Sequence, residues 1–121
     1  MKQKILIIDD DVTTLQILKR HLQQQYDVQI ENEGYRFIKN IEEYQADLIL
    51  LDIEMPIMNG LQVFEEIKKI PSHNQIPILF LTGVAEPQVV MKLMNEGAAG
   101  YIIKSATREE LNLKISKILA K

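Results

Sequence analysis

Short apolar runs alternate along this chain with apolar residues at helical spacing, and this alternation is what most constrains the fold. Four continuous runs and one alternating segment have the length of β-strands: 5–8, 27–31, 48–51, 78–81 and 101–103. Five sets of apolar residues at helical spacing lie between and after them: 15–22, 37–41, 61–67, 89–94 and 111–119. Strands that alternate with helices form a parallel sheet covered by helices on both faces. We therefore predict one α/β domain over residues 1–121.

The composition of each strand predicts its place in the sheet. Continuous apolar strands are buried on both faces, whereas the alternating segment 27–31 suits a sheet edge. Right-handed crossovers then favour the strand order 2-1-3-4-5, the flavodoxin-like (βα)5 arrangement with three layers. In such sheets the functional crevice lies beyond the carboxyl ends of the strands, where strands 1 and 3 meet.

Polar side chains follow the strands that are predicted to meet at this crevice. They are Asp9 and Asp10 after strand 1, Asp52 after strand 3, Thr82 after strand 4 and Lys104 after strand 5. Two carboxylates 4 Å apart repel by about 4 kcal/mol at an effective dielectric constant of about 20, so three together take up protons or hold a cation. Oxygen ligands without cysteine or a nearby histidine suit Mg²⁺, with Mn²⁺ as the other choice. A divalent ion beside a carboxylate, a lysine and a hydroxyl suits phosphoryl transfer, in which a carboxylate can be the nucleophile.

Composition narrows the functions that remain. The net charge of −3 argues against nucleic acid binding by the overall field of this segment. The chain has no cysteine, so it forms no disulfide. No apolar run approaches the ~20 residues of a membrane span, and the apolar run after the first four residues is too short for a signal peptide. We expect a cytoplasmic protein without a membrane partner.

Four segments together resemble the receiver domain of two-component response regulators, of the kind found in chemotaxis regulators. They are ILIIDDD (5–11), LILLDIEMPIMNG (48–60), FLTG (80–83) and GYIIK (100–104), and they occur in the expected order and at the expected spacing. The resemblance implies a signalling switch that acts on itself and is not a turnover enzyme. It also implies that Asp52 accepts a phosphoryl group from a sensor histidine kinase or a phosphotransfer protein.

The same resemblance implies a Mg²⁺ site. Asp10 and Asp52 would ligate the ion directly, together with the backbone carbonyl of Glu54. Asp9 would hold a water molecule bound to the metal. The Glu54 side chain and Val84 occupy positions at which receivers tune the lifetime of the phosphoryl group, although a solvated loop acid explains Glu54 equally well.

The resemblance further implies how phosphorylation changes the protein. Lys104 would pair with the phosphoryl oxygens, and Thr82 would bond to one of them and move toward it. Tyr101 would change rotamer as Thr82 moves, although simple packing on strand 5 explains a tyrosine there equally well. An unknown output protein or domain would then bind the face made by helix 4, strand 5 and helix 5.

Two positions depart from the family pattern. Receivers usually have proline after the lysine, joined by a cis bond, but here Ser105 follows Lys104. A cis bond before a residue other than proline costs about 3–4 kcal/mol, so we predict a trans bond and a reshaped loop. The residue before Gly60 is Asn59 in place of the usual Asp, and asparagine can still cap a helix.

Several other side chains carry structural predictions. We expect Asp11 to cap helix 1 and Thr107 to form a capping box with Glu110. Helix 4 has no residue that favours capping directly before it. Surface positions are predicted for three residues: His21, His73 and Met91. A core position is predicted for Met94, which falls on the apolar face of helix 4.

Three other functions remain open on the sequence. The first is a receiver-like scaffold that no longer takes phosphate, which Ser105 keeps possible. The second is a hydrolase or mutase with an aspartyl nucleophile, although such enzymes commonly have a second Asp where this chain has Glu54. The third is a flavin-binding module, although the acidic segment 9–11 stands where the flavin phosphate would bind. The sequence names neither the kinase nor the output.

Overall fold

The computed structural model describes residues 2–83 and 86–120 and places their strands in one parallel sheet. The strands are β1 (Lys4–Ile8), β2 (Asp27–Glu31), β3 (Leu48–Asp52), β4 (Ile78–Thr82) and β5 (Gly100–Ile103). The helices are α1 (Val12–Leu22), α2 (Gly34–Lys39), α3 (Gly60–Lys68), α4 (Pro87–Asn95) and α5 (Arg108–Leu119), with a short 3₁₀ helix at Ile41–Glu43. The strand order is β2-β1-β3-β4-β5. The predicted flavodoxin-like fold is confirmed, with β2 at one edge.

Each face of the sheet carries its own apolar cluster. One cluster joins the sheet to α2, α3 and α4 and includes Phe37, Phe64 and Phe80. The other joins the sheet to α1 and α5 and includes Leu15 and Ile115. Successive residues of a central strand point to opposite clusters, which is why these strands are apolar at every position.

Capping groups fix where the helices begin. The Asp11 side chain accepts hydrogen bonds from the backbone at the start of α1, and Asn59 and Thr107 form capping boxes at the starts of α3 and α5. Each satisfies a backbone N–H that the helix leaves unpaired. Glu86 precedes α4 without a side-chain cap bond. All four observations agree with the sequence predictions.

Two predicted positions are wrong. His73 is buried, with 6% of its surface exposed, because its Nε2–H donates to the Tyr44 carbonyl O at 2.7 Å and Ser72 Oγ lies 2.7 Å from its Nδ1. The loop between α3 and β4 therefore folds against the segment that follows the 3₁₀ helix. Met94 is 45% exposed, because α4 turns the adjacent Leu93 toward the sheet. Met91 is 64% exposed, as predicted.

Two further backbone features bear on the sequence predictions. The Lys104–Ser105 peptide bond is trans, as predicted from the missing proline. Within residues 2–83 and 86–120, no helix has the length and apolar character that crossing a membrane requires.

Candidate functional site

Strand register brings the polar strand ends together at one edge of the sheet. Ile8 of β1 pairs with Leu51 of β3, so Asp9 and Asp52 follow at the same level. Thr82 of β4 pairs with Ile103 of β5, and the Lys104 N–H donates to the Thr82 carbonyl O at 2.8 Å. Four strands, β1, β3, β4 and β5, therefore end in or lead into polar side chains that lie around one cleft.

Three carboxylates meet in this cleft. One oxygen from each of Asp9, Asp10 and Asp52 lies within 4.8 Å of the others. Asp9 and Asp52 are buried, with 0% and 2% of their surfaces exposed, whereas Asp10 is exposed at the mouth. The Asp9 carboxylate is held in place by the Asp11 N–H, which donates to its Oδ1 at 3.0 Å.

Lys104 is the cation of the cleft. Its Nζ lies 3.0 Å from Asp9 Oδ2 and 3.1 Å from Asp52 Oδ1. Burial lowers the pKa of Lys104, but the bonds to Asp9 and Asp52 and the charges of these residues outweigh burial, so its pKa is raised overall. The ammonium is therefore charged at neutral pH and bridges two of the three acids.

Asp52 is the acid of the cluster whose pKa is shifted from its usual value. Burial, followed by the charge of Asp9, raises the pKa of Asp52 to about 7, against the opposing effect of Lys104. Its Oδ1 also accepts the Glu54 N–H at 3.3 Å. Its Oδ2 is buried and has no hydrogen-bond partner among the described residues. With all three acids ionised, the charge of the Lys104 ammonium does not balance theirs.

These observations fit a hard divalent cation. The cluster offers carboxylate oxygens, which Mg²⁺ prefers, and the Asp52 Oδ2 atom is a buried acceptor that no described residue supplies with a donor. A cavity of about 490 Å³ adjoins the cluster and is lined by Asp10, Ile53, Glu54, Met55, Pro56 and Asn59. The cluster has both the charge and the adjoining space that a hydrated ion needs.

The loop from β3 to α3 is held tightly beneath this cavity. The Gly60 N–H donates to the Ile53 carbonyl O at 2.8 Å, and a Cβ on Gly60 would overlap the Asp52 backbone O. Only glycine therefore fits where α3 begins. In the same loop Ile57 has a φ of +68° and is 87% exposed, and the Met58 N–H donates to the Pro56 carbonyl O at 2.7 Å, as in a γ-turn.

The remaining predicted residues lie at the β4 and β5 side of the cleft. Thr82 ends β4 and is buried, at 8% exposure. Tyr101 is partly buried on β5 and packs against the cluster that contains Phe80. Val84, which the sequence placed near the site, lies outside the described residues.

The sequence interpretation missed Glu31 and Tyr44. Glu31 ends β2, is 7% exposed, and its backbone O accepts the Asp9 N–H at 3.1 Å. The Tyr44 hydroxyl donates to Glu31 Oε2 at 2.6 Å. Burial and this bond raise the pKa of Tyr44 to about 12. Glu31 could have been found by the rule that found the other residues, because it too is a polar side chain at a strand end.

Comparison with known proteins identifies the family. The model of the response regulator receiver domain matches residues 5–116. The N-terminal domain of a response regulator/sensory box/GGDEF 3-domain protein from Carboxydothermus hydrogenoformans is 33% identical, with a TM-score of 0.85 and 98% of this chain and 94% of that chain covered.

Two sequence relatives agree with this match. The chemotaxis protein CheY of Halobacterium salinarum is 28% identical, with 98% of each chain covered. The transcriptional regulatory protein ZraR of Klebsiella oxytoca is 32% identical over 96% of this chain, which corresponds to 26% of that protein. The chain thus spans about a quarter of the length of ZraR and of similarly long curated relatives. By its family match, its sheet order and its relatives, the chain belongs to the response regulator receiver domain family of two-component systems.

Proposed function

We propose that this chain is a phosphorylation-controlled signalling switch whose phosphoacceptor is Asp52. The observation that carries the proposal is the contact between Lys104 Nζ and Asp52 Oδ1 inside a cluster of three carboxylates. Receiver domains are signalling switches, and the family match covers nearly the whole chain. We further propose that residues 1–121 form one receiver domain in the cytoplasm.

The chemistry follows from the residues of the cleft. An Asp52 carboxylate oxygen forms a bond to phosphorus while the phosphorus–nitrogen bond of the donor's phosphohistidine breaks, and the imidazole leaves with the electron pair. The donor is a sensor histidine kinase or a phosphotransfer protein. The Lys104 ammonium offsets negative charge on the transferred oxygens, and the Thr82 hydroxyl donates to one of them.

The same cleft would hold Mg²⁺, which supplies positive charge that stabilises the phosphoryl group during transfer. Asp10, Asp52 and the Glu54 backbone carbonyl would be its ligands, and Asp9 would act through a water molecule. The buried Asp52 Oδ2, which has no hydrogen-bond partner within residues 2–83 and 86–120, supports this assignment. Mn²⁺ has the same preference for oxygen and would substitute.

Output would pass through Thr82 and Tyr101. A phosphoryl group adds about −1.5 to −2 charges and three strong acceptors beside Thr82, which biases the neighbouring loop. Tyr101 would change rotamer in response and alter the face formed by α4, β5 and α5. An output protein or domain that binds this face would read the change. Among relatives, receivers are joined to transcriptional regulators and GGDEF proteins, so the output of this chain is open.

The alternative is a scaffold that no longer takes phosphate. Its basis is Ser105, which replaces the usual proline and leaves a trans bond after Lys104. Against it, Lys104 still contacts both buried acids despite this change. The phosphoacceptor proposal is therefore the better supported of the two.

Intact mass after incubation with acetyl phosphate and Mg²⁺ tests the proposal. We expect the parent protein to gain the mass of one phosphoryl group, and EDTA to prevent the gain. Asp52→Asn should show none, whereas Asp27→Asn, an exposed acid at the start of β2, should behave as the parent. No gain in the parent, with Mg²⁺ binding shown separately by calorimetry, would establish the scaffold instead.

A further inference from the structure

One lysine of α5 makes two contacts with the residue that we assign to the switch. Lys114 is half-buried, and its Nζ donates to the Tyr101 carbonyl O at 2.9 Å. The same Nζ lies 5.1 Å from the centroid of the Tyr101 ring. This distance is within the range in which a cation is attracted to the face of an aromatic ring.

The hydrogen bond to the Tyr101 backbone carbonyl holds the Lys114 ammonium in place, whatever the position of the Tyr101 ring. In the described part of the chain β5 lies at the edge of the sheet beside β4, and the Tyr101 carbonyl O on this strand accepts the bond from Lys114 of α5. That carbonyl does not move when the Tyr101 side chain rotates about χ1. Lys114 Nζ therefore stays in place, and only its contact with the ring depends on the rotamer.

Two contacts favour the present position of the Tyr101 ring. The ring packs against the apolar cluster that includes Phe80 and Leu93. The Lys114 ammonium also lies near the ring. A ring that turns away from this position loses the attraction of the ammonium while Lys114 keeps its bond to the backbone.

We propose that Lys114 is a positioning residue that holds the Tyr101 side chain in its present χ1 rotamer. It thereby sets how often the unphosphorylated protein adopts a second Tyr101 rotamer. The proposal rests on the switch role of Tyr101 in the proposed function. The cation–ring attraction at a partly exposed site corresponds to about a two- to five-fold change in the ratio of two rotamers. Lys114 thereby links α5, part of the proposed output face, to the residue that reports phosphorylation.

The rotamer ratio of Tyr101 can be measured directly in the full chain. In ¹³C,¹⁵N-labelled protein, three-bond couplings from the ring Cγ to the backbone N and C′ report the χ1 populations of each of the four tyrosines. Tyr101→Phe assigns the signal. The variants are Lys114→Met, which keeps the stem and removes the charge, and Lys114→Arg, which restores it. Lys117→Met, an exposed lysine of the same helix, is the matched control.

We expect Lys114→Met to change the Tyr101 rotamer ratio about two- to five-fold before any phosphorylation. Lys114→Arg and Lys117→Met should keep the parent ratio. Loss of stability in Lys114→Met with an unchanged ratio would mean a merely structural lysine and would overturn the proposal. A ratio in the parent that does not respond to acetyl phosphate and Mg²⁺, with phosphorylation confirmed by mass, would instead contradict the switch role of Tyr101. The two failures are therefore distinguishable.

Discussion

Replacing Asp52 with asparagine should stabilise the fold, and the gain should grow with pH. Burial and the charge of Asp9 raise the pKa of Asp52 from 3.8 to about 7. The unfolded chain therefore ionises this carboxyl at a lower pH than the folded protein does. Stability is lost as pH rises from 3.8 to about 7, and the full loss remains above pH 7.

The size of the effect follows from the same shift. A difference of this size in pKa corresponds to about 4 kcal/mol, because each pH unit between the two values contributes about 1.4 kcal/mol. Relaxation of the cleft reduces this figure, so we expect Asp52→Asn to be more stable than the parent by about 1–4 kcal/mol at pH 8. At pH 5 the gain should be less than half as large, since most of the titration range lies above that pH.

Urea unfolding of both proteins at pH 5 and pH 8, in EDTA, measures this difference. Asp27→Asn is the control, because that acid is exposed and lies at the opposite end of the strands. Adding Mg²⁺ should stabilise the parent more than the variant, since the ion offsets the charge that the substitution removes. An Asp52→Asn protein that is no more stable than the parent at pH 8, or whose gain is the same at both pH values, would refute the reasoning.

Three further substitutions, one of them with a control variant, test the supports of the cleft. Gly60→Ala should lower the free energy of unfolding, measured in urea, by more than about 2 kcal/mol, because the added Cβ would overlap backbone atoms. Gly83→Ala is the control, because its Cβ has open space and should change stability by less than about 1 kcal/mol. Ile57→Gly should raise stability by about 0.5–1 kcal/mol in the same assay, since relief of the positive φ outweighs the entropy that glycine adds to the unfolded chain. A loss of stability would show that the strain at Ile57 is smaller than this entropy cost. Tyr44→Phe should lower the free energy of unfolding by about 1–3 kcal/mol, because Glu31 loses its hydrogen bond. It should also remove the phenol that ionises near pH 12 in an ultraviolet titration. A titration that still shows this phenol would assign the raised pKa to another tyrosine.

Much of the site was predictable because it depends on strand ends. In a parallel sheet the carboxyl ends of all strands lie at one edge. The position of a polar residue directly after an apolar run can therefore be predicted. This logic alone brings Asp9, Asp52, Thr82 and Lys104 to one edge of the sheet, and the structure places them there. It applies equally to Glu31, which ends β2.

Contacts between distant segments were not predictable in the same way. Spacing on α4 identifies which residues share a face, but not how far the helix is rotated against the sheet. That rotation buries Leu93 and exposes Met94. His73 is buried for a similar reason, since its loop docks on a segment that is remote in sequence.

By itself, the sequence determined the α/β class, the strand order, the helix caps and the acidic cluster, because these depend on local periodicity, on the handedness of the crossovers or on one residue at an element's end. The tertiary structure alone decided which groups of different segments touch. The bond from Tyr44 to Glu31, the two contacts of Lys114 with Tyr101 and the close fit of Gly60 all join segments through packing. Such contacts depend on ångström-scale placement of whole elements, which no pattern along a chain encodes locally.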